Sequence, residues 1–400
     1  MLKSIVAGLA GLVLAGPALA QISGDVIKIG VLTDMSMSSA DATGAGSVEA
    51  ARMAAAEFGN AIGGKRIEIV SGDHQQKADI GVAIARRWYD AEGVDVIVDV
   101  PHSGIALAVQ ELAKNLNRVV MFSSAGTTLL TTRNCSPNGI AWSYDTYALS
   151  RGTAAAVLAE GGRNWAFLTA DYAFGHALEK DAADMVTQSG GRVVASIRHP
   201  LNAPDFASFL LQLQGSRAEI IGLATAVGDL INAVKQASEF GIQKGGQKLA
   251  ALLMLESDVH AIGLPTAQGT YLTMPFYWDL NDETRAFSRR FAEKFNRPPS
   301  LLQAGVYGSV RHYLKAIQAT GTDEAQAVVR KMKDTPIDDM YTKGVRIRED
   351  GRVMRDFYLA QVKAPSESKG AWDYFKIVRT IPAAEAAIPA ERNECPLLKK

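Results

Sequence analysis

Short apolar runs alternate with stretches of helical spacing through the first half of the chain. The run at 26–32 has the length of a buried strand, and the alanine-rich stretch at 48–58 has the periodicity of a helix. The alternation continues with strands predicted at 66–70, 96–98 and 119–121 and helices predicted at 79–90 and 105–115. This βαβαβαβ order predicts a parallel sheet with right-handed crossovers.

The pattern then restarts, which indicates a second lobe of similar construction. Strands are predicted at 165–168, 192–197, 219–223 and 249–255, and helices at 177–188, 206–214 and 229–240. The last third has helices at 282–295, 303–320 and 323–333, then a hairpin of strands 352–363 and 372–378. We therefore expect an α/β fold of two Rossmann-like lobes with parallel sheets, joined by a hinge that the chain crosses several times.

The first twenty residues have the features of a secretory leader. Lys3 supplies a positive charge, residues 5–15 are apolar, and Ala18-Leu19-Ala20 is a small-x-small cleavage signal. The apolar run is short for a bilayer span of about 20 residues, which disfavours an uncleaved anchor. We expect export to the periplasm and cleavage after Ala20.

The rest of the chain has the composition of ordinary globular protein. The whole chain is 48% hydrophobic and 21% charged, with 42 Lys and Arg against 42 Asp and Glu. A neutral chain gives no support to a nucleic-acid partner or a polybasic membrane contact. The length favours two domains over one.

The late elements are expected to complete both lobes. The predicted N-terminal lobe comprises residues 24–143 and 276–350, and the predicted C-terminal lobe comprises residues 144–275 and 351–390. In an oxidising compartment the lone pair Cys135 and Cys395 favours a disulfide over two free thiols. Such a disulfide ties the tail, residues 391–400, back to a loop near the end of the first βα series.

Two loops that follow predicted strands carry the candidate chemistry. Residues 100–104 (VPHSG) and 122–127 (FSSAGT) offer hydroxyls among small residues, including Ser103, Ser124 and Thr127. Ligands bind at the carboxyl ends of parallel strands, because loop amides and helix N-termini converge there. Neither loop holds a residue of catalytic reactivity, and the sequence has no GxSxG or P-loop motif. No two histidines are spaced i,i+4 and there is no HExxH motif, so we expect neither a metal site nor a cofactor.

Further short motifs follow in order from residue 27 to the C-terminus. They are ADYAFG at 170–175, AVKQA at 233–237, EFG at 239–241, FYWD at 276–279, NDETR at 281–285, AGVY at 304–307, ESKG at 367–370, WDY at 372–374 and Cys395-Pro396. With these motifs the chain resembles the type I periplasmic solute-binding proteins of ABC transporters, in the branch for branched-chain amino acids, urea and aromatic acids. The resemblance implies a non-enzymatic protein that closes on a small carboxylated ligand and works with an ABC permease in the inner membrane.

The resemblance also implies roles for particular residues. A ligand carboxylate is held by the Ser103 hydroxyl, the Ala125 amide and the Thr127 hydroxyl, with Ser124 in the same loop. The opposite wall contributes an aromatic residue from the loop that contains Tyr172 and Phe174. It also contributes an acidic residue after the strand ending at Leu255, and Glu256 and Asp258 are both candidates for that position.

Each candidate has a structural alternative. Ser103 at a helix start can be an N-cap, Tyr172 and Phe174 can be core or lobe-interface aromatics, and His102 is expected to be structural. Asp258 can cap the next helix and Glu256 can be a solvated loop residue. Trp278 is a candidate for ligand contact or for hinge support.

The sequence departs from the amino-acid binders at residues 224–229 (ATAVGD), which lack the tyrosine or asparagine often found there. Aromatic residues near the predicted cleft favour an aromatic or other apolar carboxylate, although a branched-chain amino acid stays open. We expect a monomeric component of an ABC importer. The alternative is an exported ligand-sensing subunit of a membrane receptor, without a transport role.

Overall fold

The computed structural model describes residues 21–398, and its first sheet is the predicted parallel sheet with one additional strand at each edge. Its strands are β1 (Val26–Thr33), β2 (Ala61–Ile62), β3 (Lys65–Asp73), β4 (Val96–Asp99), β5 (Val119–Phe122) and β6 (Gly139–Ala141), in the order β2-β3-β1-β4-β5-β6. Only the short β2–β3 pair is antiparallel. The helices are α1 (Gly44–Ala56), α2 (Ala78–Asp90) and α3 (Ser103–Asn115). The predicted leader and its cleavage site lie outside the described residues.

A second sheet is parallel throughout. Its strands are β7 (Asn164–Ala170), β8 (Arg192–His199), β9 (Ile220–Ala224) and β10 (Lys248–Ala251), in the order β10-β9-β7-β8. Its helices are α4 (Thr146–Ala159), α5 (Ala173–Gln188), α6 (Ala207–Gly215), α7 (Val227–Glu239), α8 (Glu256–Ile262) and α9 (Leu264–Ala267). The strand predicted at 249–255 was too long. Ala251 pairs with Leu223, and β9 ends one residue later. Residues after Ala251 therefore have no neighbouring strand on β9 with which to pair.

The late elements form a third, antiparallel sheet and three further long helices. The sheet is β11 (Tyr271–Met274), β12 (Phe357–Val362) and β13 (Phe375–Ile381), in that order. The helices are α10 (Asp282–Phe295), α11 (Leu301–Thr320) and α12 (Ala325–Asp334), followed by a short α13 (Ala383–Ala386). The predicted hairpin is confirmed, but its first strand begins at Phe357 rather than residue 352. Arg352 instead makes a buried ion pair with Asp145.

Helix α11 fastens the late part of the chain to the first sheet by packing on α1. Ser300 caps α11, and the Gln303 Nε2 donates a hydrogen bond to the Thr43 carbonyl at 3.2 Å. Gly46 leaves room for that amide, because a Cβ at Gly46 would collide with it. The N-terminal end of α1 is therefore fixed by Gln303, which lies 260 positions after Thr43 in the chain.

A buried arginine and a disulfide hold late segments of the chain against its first half. Arg355 is buried with its guanidinium over the rings of Trp142 and Tyr341, at 5.6 and 4.5 Å from their centroids. The predicted disulfide between Cys135 and Cys395 is present. The chain near residues 355 and 395 is thus tied to the chain near residues 142 and 135.

No helix within residues 21–398 is long and apolar enough to cross a membrane.

Candidate functional site

A cleft lies between the carboxyl ends of the two parallel sheets. On one side it is lined by residues that follow β1, β3, β4 and β5, namely Ser38, Gln76, Ser103 and Ser124. On the other side it is lined by residues that follow β7, β8, β9 and β10, namely Tyr172, Leu201, Thr225 and Leu253. The cleft holds about 630 Å³ of space free of protein atoms, its open mouth included, which suits a small molecule.

The turn from β4 into α3 places Ser103 at the cleft. Asp99 and Val100 have φ values of +82° and +54°, a left-handed conformation that is rare for a β-branched residue and costs free energy. His102, not Ser103, is the N-cap of α3, because its Nδ1 accepts from the Ile105 amide at 3.3 Å. Ser103 Oγ accepts from the Thr127 amide at 3.3 Å. That bond leaves the Ser103 hydroxyl proton available to an acceptor in the cleft.

Ser124 is held by a buried carboxyl behind the cleft wall. Its hydroxyl donates to Asp99 Oδ1, and its carbonyl accepts from the Tyr144 hydroxyl at 2.8 Å. Asp99 is fully buried, and its Oδ2 has no hydrogen-bond partner within residues 21–398. Burial raises the pKa of Asp99 to about 6. Ser124 is thereby fixed in position, with its proton committed to Asp99.

Ala125 and Thr127 lie behind Ser103 and Ser124 and are not among the residues that line the cleft. Both are buried. Thr127 Oγ1 accepts from the Leu129 amide at 3.4 Å and caps the 3-10 turn Thr128–Thr131. The structure therefore places the Thr127 amide against Ser103 and the Thr127 hydroxyl on the 3-10 turn, outside the set of groups that line the cleft.

Tyr172 and Phe174 lie in the opposite wall, as the sequence predicted. Their ring centroids are 6.1 Å apart, and both line the cleft at the junction of β7 and α5. The Tyr172 ring also lies 4.9 Å from the His102 ring across the cleft. Burial raises the pKa of Tyr172 and lowers that of His102, so both rings are uncharged at neutral pH.

Glu256, Asp258 and Trp278 do not line the cleft. Because β10 ends early, Leu253 and Leu255 reach the cleft and α8 carries the two acids away from it. Asp258 Oδ2 accepts from the Leu255 amide at 2.9 Å, the cap that was its structural alternative. Glu256 is buried in a separate small cavity. Trp278 Nε1 donates to the Trp372 carbonyl at 2.8 Å.

Two groups of cleft residues were missed by sequence reasoning. The first is organised by buried Asp34, which accepts from the Ser39 amide at 3.0 Å and from Gln76 Nε2 at 3.0 Å. Gln76 Nε2 also donates to Ser38 Oγ at 2.9 Å. The serine-rich run at 36–39 after the first strand was the available signal.

The second missed group follows β9. Val227 has a φ of +45°, a second strained β-branched residue at a strand-to-helix turn of the cleft. The Thr225 hydroxyl is buried, lines the cleft and has no partner within residues 21–398. Both carboxylate oxygens of Asp229 are occupied, because they accept from the amides of Asn202 and Ala203 at 3.0 and 3.1 Å.

The polar groups that line the cleft are mostly uncharged hydroxyl groups and amides. No lysine or arginine is found among the described residues that line it, and Asp229 is the one acidic side chain there. Burial raises the pKa of Asp229. An anionic ligand would be bound by neutral donors, which form charge-assisted hydrogen bonds with it.

Comparison with known proteins points to one family. The family model described as "Periplasmic binding protein" matches residues 26–371. A curated relative, "Leu/Ile/Val-binding protein homolog 6" from Brucella suis biovar 1 (strain 1330), is 27% identical over 282 residues, or 68% of this chain and 72% of the relative.

Solved structures give the same result. A periplasmic binding protein from Burkholderia mallei is 48% identical with a TM-score of 0.92, covering 94% of this chain and all of that one. A branched chain amino acid ABC transporter periplasmic ligand-binding protein from Burkholderia xenovorans LB400 is 36% identical with a TM-score of 0.83, covering 93% and 100%. A solute binding protein of an ABC transporter from Rhodopseudomonas palustris BisB5, in complex with 3,4-dihydroxy benzoic acid, shares the fold at 22% identity and a TM-score of 0.81, covering 90% and 98%.

Proposed function

The chain belongs to the periplasmic binding protein family, and on that premise we propose that it captures a small carboxylated solute for import. Membership makes it a ligand-binding component of the ABC-transporter type and not an enzyme. The family also implies export to the periplasm. Cleavage after Ala20, lobes bounded as the sequence predicts, and a monomeric state are parts of the proposal.

The chemistry of one wall supports a carboxylate. Ser103 offers a free hydroxyl proton beside the N-terminus of α3, whose first amides have no partners within the helix. The thirteen-residue helix also carries partial positive charge at that end. No cation lines the described cleft, so these donors are the groups that would balance the charge of an anion. This arrangement is the observation that carries the proposal.

The residues of the opposite wall favour a ligand whose carboxylate is attached to an apolar or aromatic group. Tyr172, Phe174 and the two leucines Leu253 and Leu255 line it, and the uncharged His102 ring faces Tyr172. An amino-acid ligand would also need an acceptor for its ammonium. Asp229 already accepts two backbone amides, which leaves it less able to pair with an added cation. We therefore place aromatic and aliphatic acids ahead of branched-chain amino acids.

Because both lobes contribute residues to the cleft lining, a bound ligand is expected to favour closure of the lobes. A ligand between Ser103 and Tyr172 contacts both walls only when the walls are close, so its differential affinity shifts the population to the closed form. The closed form is then the state presented to a permease. How strongly a given ligand favours the closed form depends on its contacts with the groups that line the cleft.

A thermal-shift screen of matched pairs tests the proposal. The panel contains benzoate with benzamide, 4-methylpentanoate with its amide, and leucine with leucinamide. We expect at least one acid to raise the melting temperature while its amide does not. If no acid in a wider panel of keto, aliphatic and aromatic acids stabilises the protein, or if amides do so equally, the carboxylate assignment is wrong.

A further inference from the structure

A second concave surface lies outside the cleft, between α10 and the loop that joins β12 to β13. We call it the tryptophan groove; its lining includes Trp278, Ser288, Arg289 and Trp372, together with the arginines Arg285 and Arg297. It contains about 750 Å³ of space free of protein atoms, its open side included. It shares no residue with the cleft lining.

The two tryptophans are held in fixed positions. Trp372 stacks on His260 with ring centroids 4.4 Å apart and an interplanar angle of 12°. Its backbone is left-handed, with a φ of +71°, and its carbonyl accepts from Trp278 Nε1 at 2.8 Å. The indoles are half-buried and are thus rigid apolar surfaces that solvent still reaches.

Two polar groups of the groove have no protein partner. The Ser288 hydroxyl is buried, lines the groove and makes no hydrogen bond within residues 21–398. An unpaired buried hydroxyl costs free energy, which a ligand atom or water would recover. Arg289 is exposed and forms no ion pair within the same residues. By contrast, Arg285 and Arg297 in the same groove are paired with Asp279 and Asp41, at 2.8 and 2.6 Å.

We propose that the tryptophan groove is a second binding site, for a small aromatic anion. Its ring would pack against Trp278 and Trp372, its acidic group would pair with Arg289, and an oxygen atom would bond to the Ser288 hydroxyl. The cationic and aromatic lining complements an aromatic acid, since indole faces favour flat apolar rings and an unpaired guanidinium favours a carboxylate. The assignment does not depend on what the cleft binds.

The test is calorimetric titration of the full mature chain with naphthalene-2-carboxylate as the probe. The variants are Arg289→Gln, Ser288→Ala, and Arg289→Lys, which keeps the charge. Arg330→Gln is the matched control, since Arg330 is an exposed helical arginine that forms no ion pair within residues 21–398 and lies outside the groove. Thermal unfolding of each variant verifies the fold.

We expect Arg289→Gln to lower the affinity for the probe by about tenfold or more, and Arg289→Lys to lower it less. Ser288→Ala should also weaken binding of the probe, whereas Arg330→Gln should not. The cleft variant Ser103→Ala is measured alongside, because it reports on any binding of the probe in the cleft. Equal affinity of Arg289→Gln, Ser288→Ala and wild type would overturn the proposal, and so would the absence of any binding at millimolar probe. Loss of binding in Ser103→Ala alone would place the probe in the cleft, overturning the second site while leaving the proposed function intact.

Discussion

The side chains of Gln76 and Asn202 join the two walls of the cleft. Asn202 Nδ2 donates to Gln76 Oε1 at 3.1 Å, and the two residues lie 126 positions apart, after β3 and β8 respectively. Gln76 is tied to Asp34 and Ser38 on its own side, and the Asn202 amide is tied to Asp229 on the other. The bond thus connects two organised loops and exists only while the walls are together.

Removing this hydrogen bond should make the closed form less stable without removing a contact with the ligand. Asn202 has a φ of +58°, so Asn202→Gly removes the amide without adding backbone strain. A partly exposed hydrogen bond contributes about 0.5–1.5 kcal/mol, so the dissociation constant of a screened ligand should rise roughly two- to tenfold.

Asn60 provides the control for that experiment. It has a φ of +57° in an exposed turn outside the cleft, so Asn60→Gly makes the same chemical change with no effect expected on affinity. Small-angle scattering of the ligand-free protein should show a larger radius of gyration for Asn202→Gly than for Asn60→Gly. Identical affinities and radii for the two variants would show that the Gln76–Asn202 bond does not hold the walls together.

Ser103→Ala should weaken binding of a screened acid by about 1–3 kcal/mol, the range for a hydrogen bond to a charged group. The comparison is Ser150→Ala, which removes another buried hydroxyl, one that donates to the Leu178 carbonyl at 3.3 Å and does not line the cleft. Thr127→Val should produce a smaller loss, because it keeps the backbone amide that donates to Ser103 and removes only the hydroxyl that caps the 3-10 turn. Titration calorimetry measures all three, and unchanged affinity in Ser103→Ala would remove that residue from the site.

The buried carboxyl of Glu256 should make stability depend on pH. Burial raises its pKa from 4.5 to about 8, and its Oε1 has no partner within residues 21–398. A carboxyl whose pKa is higher in the folded state binds a proton more tightly there. Its contribution to stability is therefore full below pH 4.5 and is lost as the pH rises through 8.

Glu256→Gln removes that titration with little change of shape. Between pH 5 and 8 the free energy of unfolding should fall more steeply in wild type than in Glu256→Gln, by an amount on the order of a few kcal/mol. Glu111→Gln, an exposed helical position, should follow the wild-type curve. Urea denaturation across this range checks the slopes, and parallel curves for wild type and Glu256→Gln would mean that Glu256 ionises freely in the folded protein.

The disulfide should stabilise the protein without contributing to ligand recognition. Cys135 and Cys395 enclose 260 residues of sequence, and both lie outside the cleft lining. The double change to serine should lower the free energy of unfolding by about 2–5 kcal/mol and leave ligand affinity within about twofold. Wild-type protein reduced by dithiothreitol should behave like the double variant; a large loss of affinity in either would implicate the tail in the site.

The sequence was sufficient for most of the fold and for part of the cleft lining. Apolar runs with regular spacing predicted the four central strands of the first sheet and all four strands of the second. The strand-end loops led to Ser103 and Ser124, and the family resemblance led to Tyr172 and Phe174. The predicted end of a strand was wrong where pairing with a neighbouring strand decides it, as at Ala251. The residues of one strand carry no signal of where the neighbouring strand ends.

The remaining cleft residues depend on long-range geometry. Gln76 reaches the cleft because Asp34, 42 residues earlier, accepts from its amide. Thr225 and Asp229 are placed by the strained turn at Val227, and valine gives no sign of a left-handed backbone. Glu256 and Asp258 were selected by their nearness to a strand end, and the helix that begins at Glu256 removed both from the cleft.

We propose that the cleft recognises a carboxylate through neutral donors on the Ser103 wall. The most direct measurement is calorimetric titration of wild-type protein with a screened acid and with the methyl ester of the same acid. We expect the acid to bind and its ester to bind at least about a hundredfold more weakly, because the ester loses the charge that strengthens the hydrogen bonds. An ester that binds as tightly as its acid would contradict the account.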